Sequence, residues 1–308
     1  MLDDGRLDRA AGALLGTAAG DALGAGYEFT RPGPEQEIDM IGGGAFDWAP
    51  GEWTDDTSMA LAIAQAAADG PGLELDAVAA GFVRWYDSAP PDIGIQTNRV
   101  LSARPPSAAA MHQQAMSLDG LTGGNGSLMR TAPIALCYLD DAAECVRMAG
   151  AVGLLTHHDQ QAVEACEIWT YAVRHAVLTA TFDGVREYVA TTDSADYWNR
   201  LLDQAENGAP AHFPNNGWVV HALQTAWWAI TTADASGPEH LPLALELCVR
   251  AGGDTDTTAA IVGGLLGARW GASAVPARWR SMLHGYPGLT GEDLIALATR
   301  IVTANAPA

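Results

Sequence analysis

Residues 252–268 read GGDTDTTAAIVGGLLGA. Two glycines lead into the block Asp254-Thr255-Asp256-Thr257, and an apolar run without a charged residue follows to Ala268. Asp and Thr are favoured at helix starts, where a side-chain oxygen accepts from an unpaired backbone N–H. The stretch Gly263-Gly264-Leu265-Leu266-Gly267 is costly as an isolated helix, at roughly 1 kcal/mol per Gly relative to Ala. A buried central helix packed tightly on its neighbours offsets that cost. This reading makes the chain a helical protein built around residues 256–269.

The same pattern stands far earlier, where Thr54-Asp55-Asp56-Thr57 precedes an Ala-rich apolar stretch. Leu7, Ala10, Ala11, Leu14, Leu15 and Ala18 recur at helical spacing and predict a first helix ending between Gly20 and Gly24. Further helices are predicted over 56–68, 73–87, 127–138, 141–154, 159–180, 217–232, 241–251 and 256–269. Clusters of Gly, Pro, Asn and Asp separate them, at 30–34, 42–51, 89–94, 104–107, 119–126, 207–217 and 234–238. No strand alternation, solenoid repeat or long linker stands out. The expectation is one all-α domain over 1–308, of about ten or more helices. Ala and Gly in 11–24, 60–68 and 259–268 predict close helix–helix approach.

Of 308 residues, 48% are hydrophobic and 17% charged, as in a soluble globular protein. The opening MLDDGRLDR is acidic and lacks a basic leader, and no uninterrupted apolar run reaches membrane-span length. A cytoplasmic location and no membrane partner are expected. The net charge of −21, with every one of the 16 basic residues an Arg, argues against nucleic acid or anionic membranes as partners. It also excludes Schiff-base and P-loop lysine chemistry. Cys137, Cys145, Cys166 and Cys248 have no metal-binding spacing and read as buried free thiols.

Either acidic block alone reads as an ordinary helix cap. A cap, however, needs one side chain, whereas Asp55-Asp56 sets adjacent carboxylates that repel one another unless a cation intervenes. If both helix starts meet, four carboxylates and their neighbouring hydroxyls converge on a hard, all-oxygen donor set. Such a set suits Mg²⁺, with Mn²⁺ or Ca²⁺ as alternatives. Glu28 lies in a loop just before Arg31-Pro32-Gly33-Pro34, where acids are usually solvated. Gly123-Gly124-Asn125-Gly126-Ser127 opens a helix with backbone N–H groups able to cradle phosphate, a weak signal by itself.

Together the segments GDALGAGYEF (20–29), GEWTDDTSMAL (51–61), PDIGIQTNRVL (91–101), GGNGSLMRTAPIAL (123–136), LTHHDQQAVEAC (155–166) and GGDTDTTAAIVGGLLGA (252–268) resemble the ADP-ribosylglycohydrolase family. They span residues 7–270 in the family's order. The resemblance implies an all-α orthogonal helical bundle with two Mg²⁺ ions, replaceable by Mn²⁺. It implies Thr54, Asp55, Asp56, Asp254, Asp256 and Thr257 as metal ligands. Gly124, Asn125, Gly126, Ser127, Met129 and His157 match the positions that bind ADP-ribose. Arg130 is expected to pair with an internal carboxylate, and His158 and Asp159 to start a helix. Trp53, beside the first acidic block, is a candidate wall of the site, and the other tryptophans read as core.

The implied reaction is hydrolysis of the bond between ribose C1″ and its acceptor, with Glu28 or Asp56 as general base and Asp92 near the leaving group. ADP-ribosyl-arginine on protein is the first expectation. The alternatives are an O-linked serine or acetyl ester, a modified nucleic acid or small molecule, and a non-catalytic ADP-ribose-binding or crystallin-like role. Gln96 stands where the family commonly has a threonine, which bears on leaving-group recognition. A monomer acting on an ADP-ribosylated protein or small ADP-ribosyl substrate is expected.

Overall fold

The computed structural model describes residues 3–306. It is built of helices α1 (Asp4–Gly24), α2 (Asp55–Ala68), α3 (Leu75–Asp87), α4 (Ile95–Leu101), α5 (Ala108–Met116), α6 (Ala132–Cys137), α7 (Ala142–Leu154) and α8 (Gln160–Thr179). There follow α9 (Gly184–Val189), α10 (Ala195–Glu206), α11 (Val219–Thr232), α12 (His240–Ala251), α13 (Thr255–Trp270), α14 (Ala277–Met282) and α15 (Gly291–Ala304). A two-stranded hairpin, β1 (His284–Gly285) and β2 (Leu289–Thr290), is the sole sheet among the described residues and was not anticipated. No described helix is long and apolar enough to cross a membrane.

Helix α13 is buried on every side from Thr255 to Ala268, which is why its sequence has no polar face. Its main partner is α1, antiparallel to it. Gly12, Gly16, Gly20 and Gly24 recur every four residues on α1, and a Cβ at any of them would collide with α13 backbone at Gly267, Gly263, Ala259 and Thr255 respectively. Gly263 and Gly267 return the same constraint on α1. The glycines that weaken α13 locally therefore let two backbones touch, and dispersion contacts along the whole seam offset the propensity cost. The seam also fixes register: it brings the C-terminus of α1 to the N-terminus of α13.

Around this pair, buried apolar residues from Ala10 to Val302 form one continuous core. All four cysteines are buried free thiols, as expected, and Cys137, Cys166 and Cys248 belong to this core. The segment 127–138 departs from its predicted helix. Residues Asn125–Ser127 form a single 3₁₀ turn and α6 begins only at Ala132, because Pro133 lacks an N–H and fits the first turn of a helix rather than its interior. Helices α4, α5, α9, α10, α14 and α15 were not anticipated.

Candidate active site

The α1–α13 seam delivers Glu28 to the second acidic block. Past Gly24 the chain makes one 3₁₀ turn, then Phe29 N donates to Gly253 O at 2.7 Å and Gly253 N to Thr30 O at 3.1 Å. Gly253 sits at φ 79°, a left-handed conformation, and a Cβ there would strike Asn216. The first block arrives from α2, whose N-cap Thr54 accepts from Asp56 N through Oγ1 at 3.4 Å and donates to Asp56 Oδ2 at 2.9 Å.

Glu28, Asp92 and Asp256 each present a carboxylate oxygen within 4.8 Å of the other two. Glu28, Asp55, Asp56 and Asp256 are all buried. Glu28 Oε2, Asp56 Oδ1, Asp254 Oδ1 and Asp256 Oδ1 are buried with no hydrogen-bond partner. A buried anionic oxygen without a donor is expensive, and several in one place are mutually repulsive. Burial first, then Asp92, Asp254 and Asp21, pushes Glu28 up to about 8. Burial, and after it Asp254, pushes Asp92 up to about 6. Asp55, Asp56 and Asp256 are raised well above the ordinary carboxylate range by burial, and then by charges on Asp92 and Asp21, on Asp21 and Asp55, and on Asp56 and Asp254 respectively. The donor set is all oxygen and its orphaned atoms lack positive partners, so it fits a hard divalent cation.

Asp254 occupies the N-cap position of α13 but its side chain caps nothing. Oδ2 instead accepts from Asn125 Nδ2 at 2.7 Å, which ties the second block to the glycine-rich loop. Asn125 Nδ2 also donates to Asn216 O at 2.9 Å, and Asn125 N to Gly217 O at 3.1 Å. Met129 is buried behind this turn, and Ser127 Oγ is buried without a partner. Thr257 is buried beside Asp256.

The His157 ring lies against the loop, where Cβ atoms at Gly124 and Gly126 would stand 3.3 and 3.2 Å from it. Its Nδ1 is 2.8 Å from Thr156 Oγ1, and that oxygen accepts from Arg130 Nη2 at 2.6 Å. Thr156 Oγ1 thus links the Arg130 guanidinium to the imidazole, whose Nε2 points toward Gly124. Burial and the Arg130 charge pull His157 down to about 3, so it is neutral.

Arg130 itself corrects an expectation. It has no carboxylate partner: it bonds Thr156 Oγ1 and Val152 O, and its guanidinium lies 4.5 Å from the centre of the Phe82 ring. Burial pulls it down to about 10. Trp53 also differs from expectation: it is buried beneath Gly285, with Nε1 donating to Tyr286 O at 3.0 Å, and belongs to the core. Gln96 Nε2 donates to Thr122 O and Thr156 O at 3.0 and 2.9 Å, stapling α4 to both site loops. Asp159 caps α8 by accepting from Gln161 N and Ala162 N, as a helix-start residue should.

Two residues escaped the sequence reading. Asp21 is fully buried near the end of α1, and its carboxylate accepts from Thr54 N, Thr57 N and Thr57 Oγ1 at 2.9, 3.0 and 2.6 Å. Burial pushes it up to about 6. The visible signal was an acid inside an otherwise apolar helix. Asn216 joins the loop to the second block, with Nδ2 donating to Gly252 O at 2.9 Å and Oδ1 accepting from Asp254 N at 3.0 Å. No local pattern marks it.

A helical fold with an oxygen-only acid cluster that could hold a metal ion, tied to a glycine-rich loop, is an arrangement suited to hydrolysis. The family model for ADP-ribosylglycohydrolases matches residues 2–307, and the chain belongs to that family, whose members hydrolyse ADP-ribosyl glycosidic bonds. It is 32% identical to the ADP-ribosyl-[dinitrogen reductase] glycohydrolase of Rhodospirillum rubrum, over 90% of each chain. It is 31% identical to the ADP-ribosylarginine hydrolase Tri1 of Pseudomonas putida (strain GB-1), over 89% of this chain and 73% of that one. A solved structure of an ADP-ribosylglycohydrolase-related protein complex superposes with a TM-score of 0.80 at 32% identity, covering 97% of this chain and 98% of that one.

Proposed function

We propose that the protein hydrolyses the ribosyl C1″–N bond of ADP-ribosyl-arginine on proteins in a Mg²⁺-dependent reaction, releasing ADP-ribose. The observation that carries this reading is the group of Glu28, half-buried Asp92 and Asp256, in which Glu28 and Asp256 are buried and hold orphaned oxygens. The arginine acceptor is supported by the names of the relatives and by Asp92, a carboxylate suited to a leaving guanidinium.

Thr54, Asp55, Asp56, Asp254, Asp256 and Thr257 would hold two Mg²⁺ ions, for which Mn²⁺ can substitute. When bound, these ions supply Lewis acidity toward the ribose hydroxyls and water. Glu28 acts as general base. Its carboxylate, beside Asp92 and Asp256, takes the proton of the attacking water. Water adds to C1″ and gives a proton to Glu28. The electron pair of the breaking C1″–N bond goes to the guanidine nitrogen, and the proton held by Glu28 then passes to that nitrogen, so arginine leaves as a guanidinium beside Asp92. Oxocarbenium character at C1″ is stabilised by the surrounding carboxylates, as in other glycoside hydrolyses. Asn125, Gly126 and Ser127 position the ADP-ribose, Met129 backs the turn that carries them, and the neutral His157 ring packs against the loop. The loop's N–H groups offset the field of a −21 chain against a diphosphate.

The test is free ADP-ribose released from ADP-ribosyl-arginine and ADP-ribosyl-serine peptides, with Mg²⁺ and with EDTA. Activity on arginine that EDTA abolishes is expected. Activity that survives EDTA, or that persists in an Asp55→Ala, Asp256→Ala variant, would sink the mechanism. Preference for serine would sink the acceptor.

A further inference from the structure

Among the described residues, the large hydrophobic side chains exposed to solvent are Phe29, Ile41, Ile95, Met116 and Leu121, at 67%, 50%, 83%, 55% and 101%. Single exposed hydrophobics are ordinary, and a set gathered at one place is not. These belong to segments that flank the carboxylates. Phe29 follows Glu28 directly and takes a left-handed backbone, φ 60°, uncommon for a bulky residue. Ile41 lies against the turn that carries Glu28, its Cγ1 2.8 Å from where a Cβ on Gly26 would be.

The opposite side is equally tied to the site. Ile95 stands three residues after Asp92, at the start of α4. Its neighbour Gln96 bonds Thr122 O, next to Leu121, and Arg99 Nη1 bonds Asp119 O at 3.3 Å. Met116 ends α5, one turn beyond His112, whose Nε2 lies 3.2 Å from Nδ1 of His158 beside the site histidine. Because Glu28 and Asp92 approach within 4.8 Å, the segments that carry the two apolar groups meet at one acidic cluster.

We infer that Phe29, Ile41, Ile95, Met116 and Leu121 form an apolar collar that seats the polypeptide around a modified arginine, making a protein rather than free ADP-ribosyl-arginine the preferred substrate. This rests on the arginine reading above. Charge complementarity selects the occupant. Acids line the cleft and the chain carries −21 without a single Lys, so a cationic protein surface is attracted, while anionic lipid and nucleic acid are repelled. An apolar ring around a charged centre also excludes water from the contact, as at protein–protein hot spots.

The experiment measures kcat/KM on an ADP-ribosylated protein and on free ADP-ribosyl-arginine, for the wild type and for the Ile95→Ser, Leu121→Ser variant. Both positions are exposed, so folding is not at risk, and unchanged thermal melting confirms it. The expected result is a drop of about tenfold on the protein, equivalent to about 1.4 kcal/mol, with less than about twofold change on the free compound. Parallel loss on both substrates, or no loss on either, overturns the collar and leaves the arginine reading standing. A wild type inactive on both substrates overturns the arginine reading and the collar with it. Sedimentation of the wild type, but not the variant, with phosphatidylserine vesicles overturns the collar by giving it a lipid occupant.

Discussion

The two acidic blocks are nearly the same word, yet the structure supports them in different ways. Thr54-Asp55-Asp56-Thr57 is held from outside by an anion: Asp21 on α1 takes both flanking backbone N–H groups and the Thr57 hydroxyl. Asp254-Thr255-Asp256-Thr257 is held by neutral groups. Asn216 bonds its backbone, Asn125 bonds the Asp254 carboxylate, and Thr255 Oγ1 donates to Gly24 O at 2.8 Å. Both blocks are thus fixed to the α1–α13 frame, and the second is in addition coupled to the glycine-rich loop. Ligand strings of one composition can be oriented by unlike surroundings, and each surrounding makes its own prediction.

The largest effect is expected where the blocks meet. Asp256→Ala removes the carboxylate that stands with Glu28 and Asp92, and turnover should fall by about a thousandfold, the order of several kcal/mol of lost charge stabilisation. Mn²⁺ titration followed by electron paramagnetic resonance should show the binding weakened in step. Turnover within tenfold of wild type would mean that the second block is no more than a helix start.

Asp21→Asn probes the support of the first block alone. Residues that orient metal ligands typically contribute about 10–100-fold to affinity, and a loss of that size in Mg²⁺ affinity by calorimetry is expected. Whichever way the amide turns, its N–H₂ faces the Thr54 N–H or the Thr57 donors, so the N-terminus of α2 must shift. Unchanged affinity would show that the Thr54 cap positions the block unaided. Asn216→Ala probes the second block. It strands Asp254 N and Gly252 O, and should raise KM by about tenfold with a loss of about 1–3 kcal/mol in stability. If Mg²⁺ affinity falls more in this variant than in Asp21→Asn, the contrast between the blocks is reversed.

That contrast also marks what could be read from the chain. The helical class, the central helix, read as 256–269 and found at Thr255–Trp270, and both acidic helix starts were legible, because caps and apolar runs are local signals. The acids at Asp21 and the amide at Asn216 were not. Asp21 acts on residues 33 and 36 positions away, and Asn216 on residues 36 and 38 away, across contacts that exist only once α1 meets the start of α2 and the loop before α11 meets the start of α13. Helix α15 was missed for a weaker reason: Thr290 and Asp293 form a capping box, and Leu294, Leu297, Ala298, Ile301 and Val302 follow the helical period. Helix α10 buries only Trp198, Leu202 and Ala205, a stripe too thin to stand out.

The smallest predicted effect concerns both blocks at once. Glu28, Asp92 and Asp21 have folded-state values raised to about 8, 6 and 6, and Asp55, Asp56 and Asp256 are raised as well. Their contribution to metal-free stability is therefore complete below the ordinary values of 3.8 and 4.5 and is lost as pH rises toward about 8. His157 runs the other way: lowered from 6.5 to about 3, it contributes above 6.5 and the contribution is lost as pH falls toward 3. The raw melting temperature mixes these opposing slopes. The difference between melting with and without Mg²⁺ removes His157, whose protonation does not depend on a cation held by the carboxylates. Mg²⁺ binds the ionised form, so this difference should be near zero at about pH 5 and grow to about 5 °C at about pH 8 for a ligand at 100 times its Kd. A difference that stays flat across that range would mean that these carboxylates do not hold the ion, and the asymmetry between their supports would then concern folding alone.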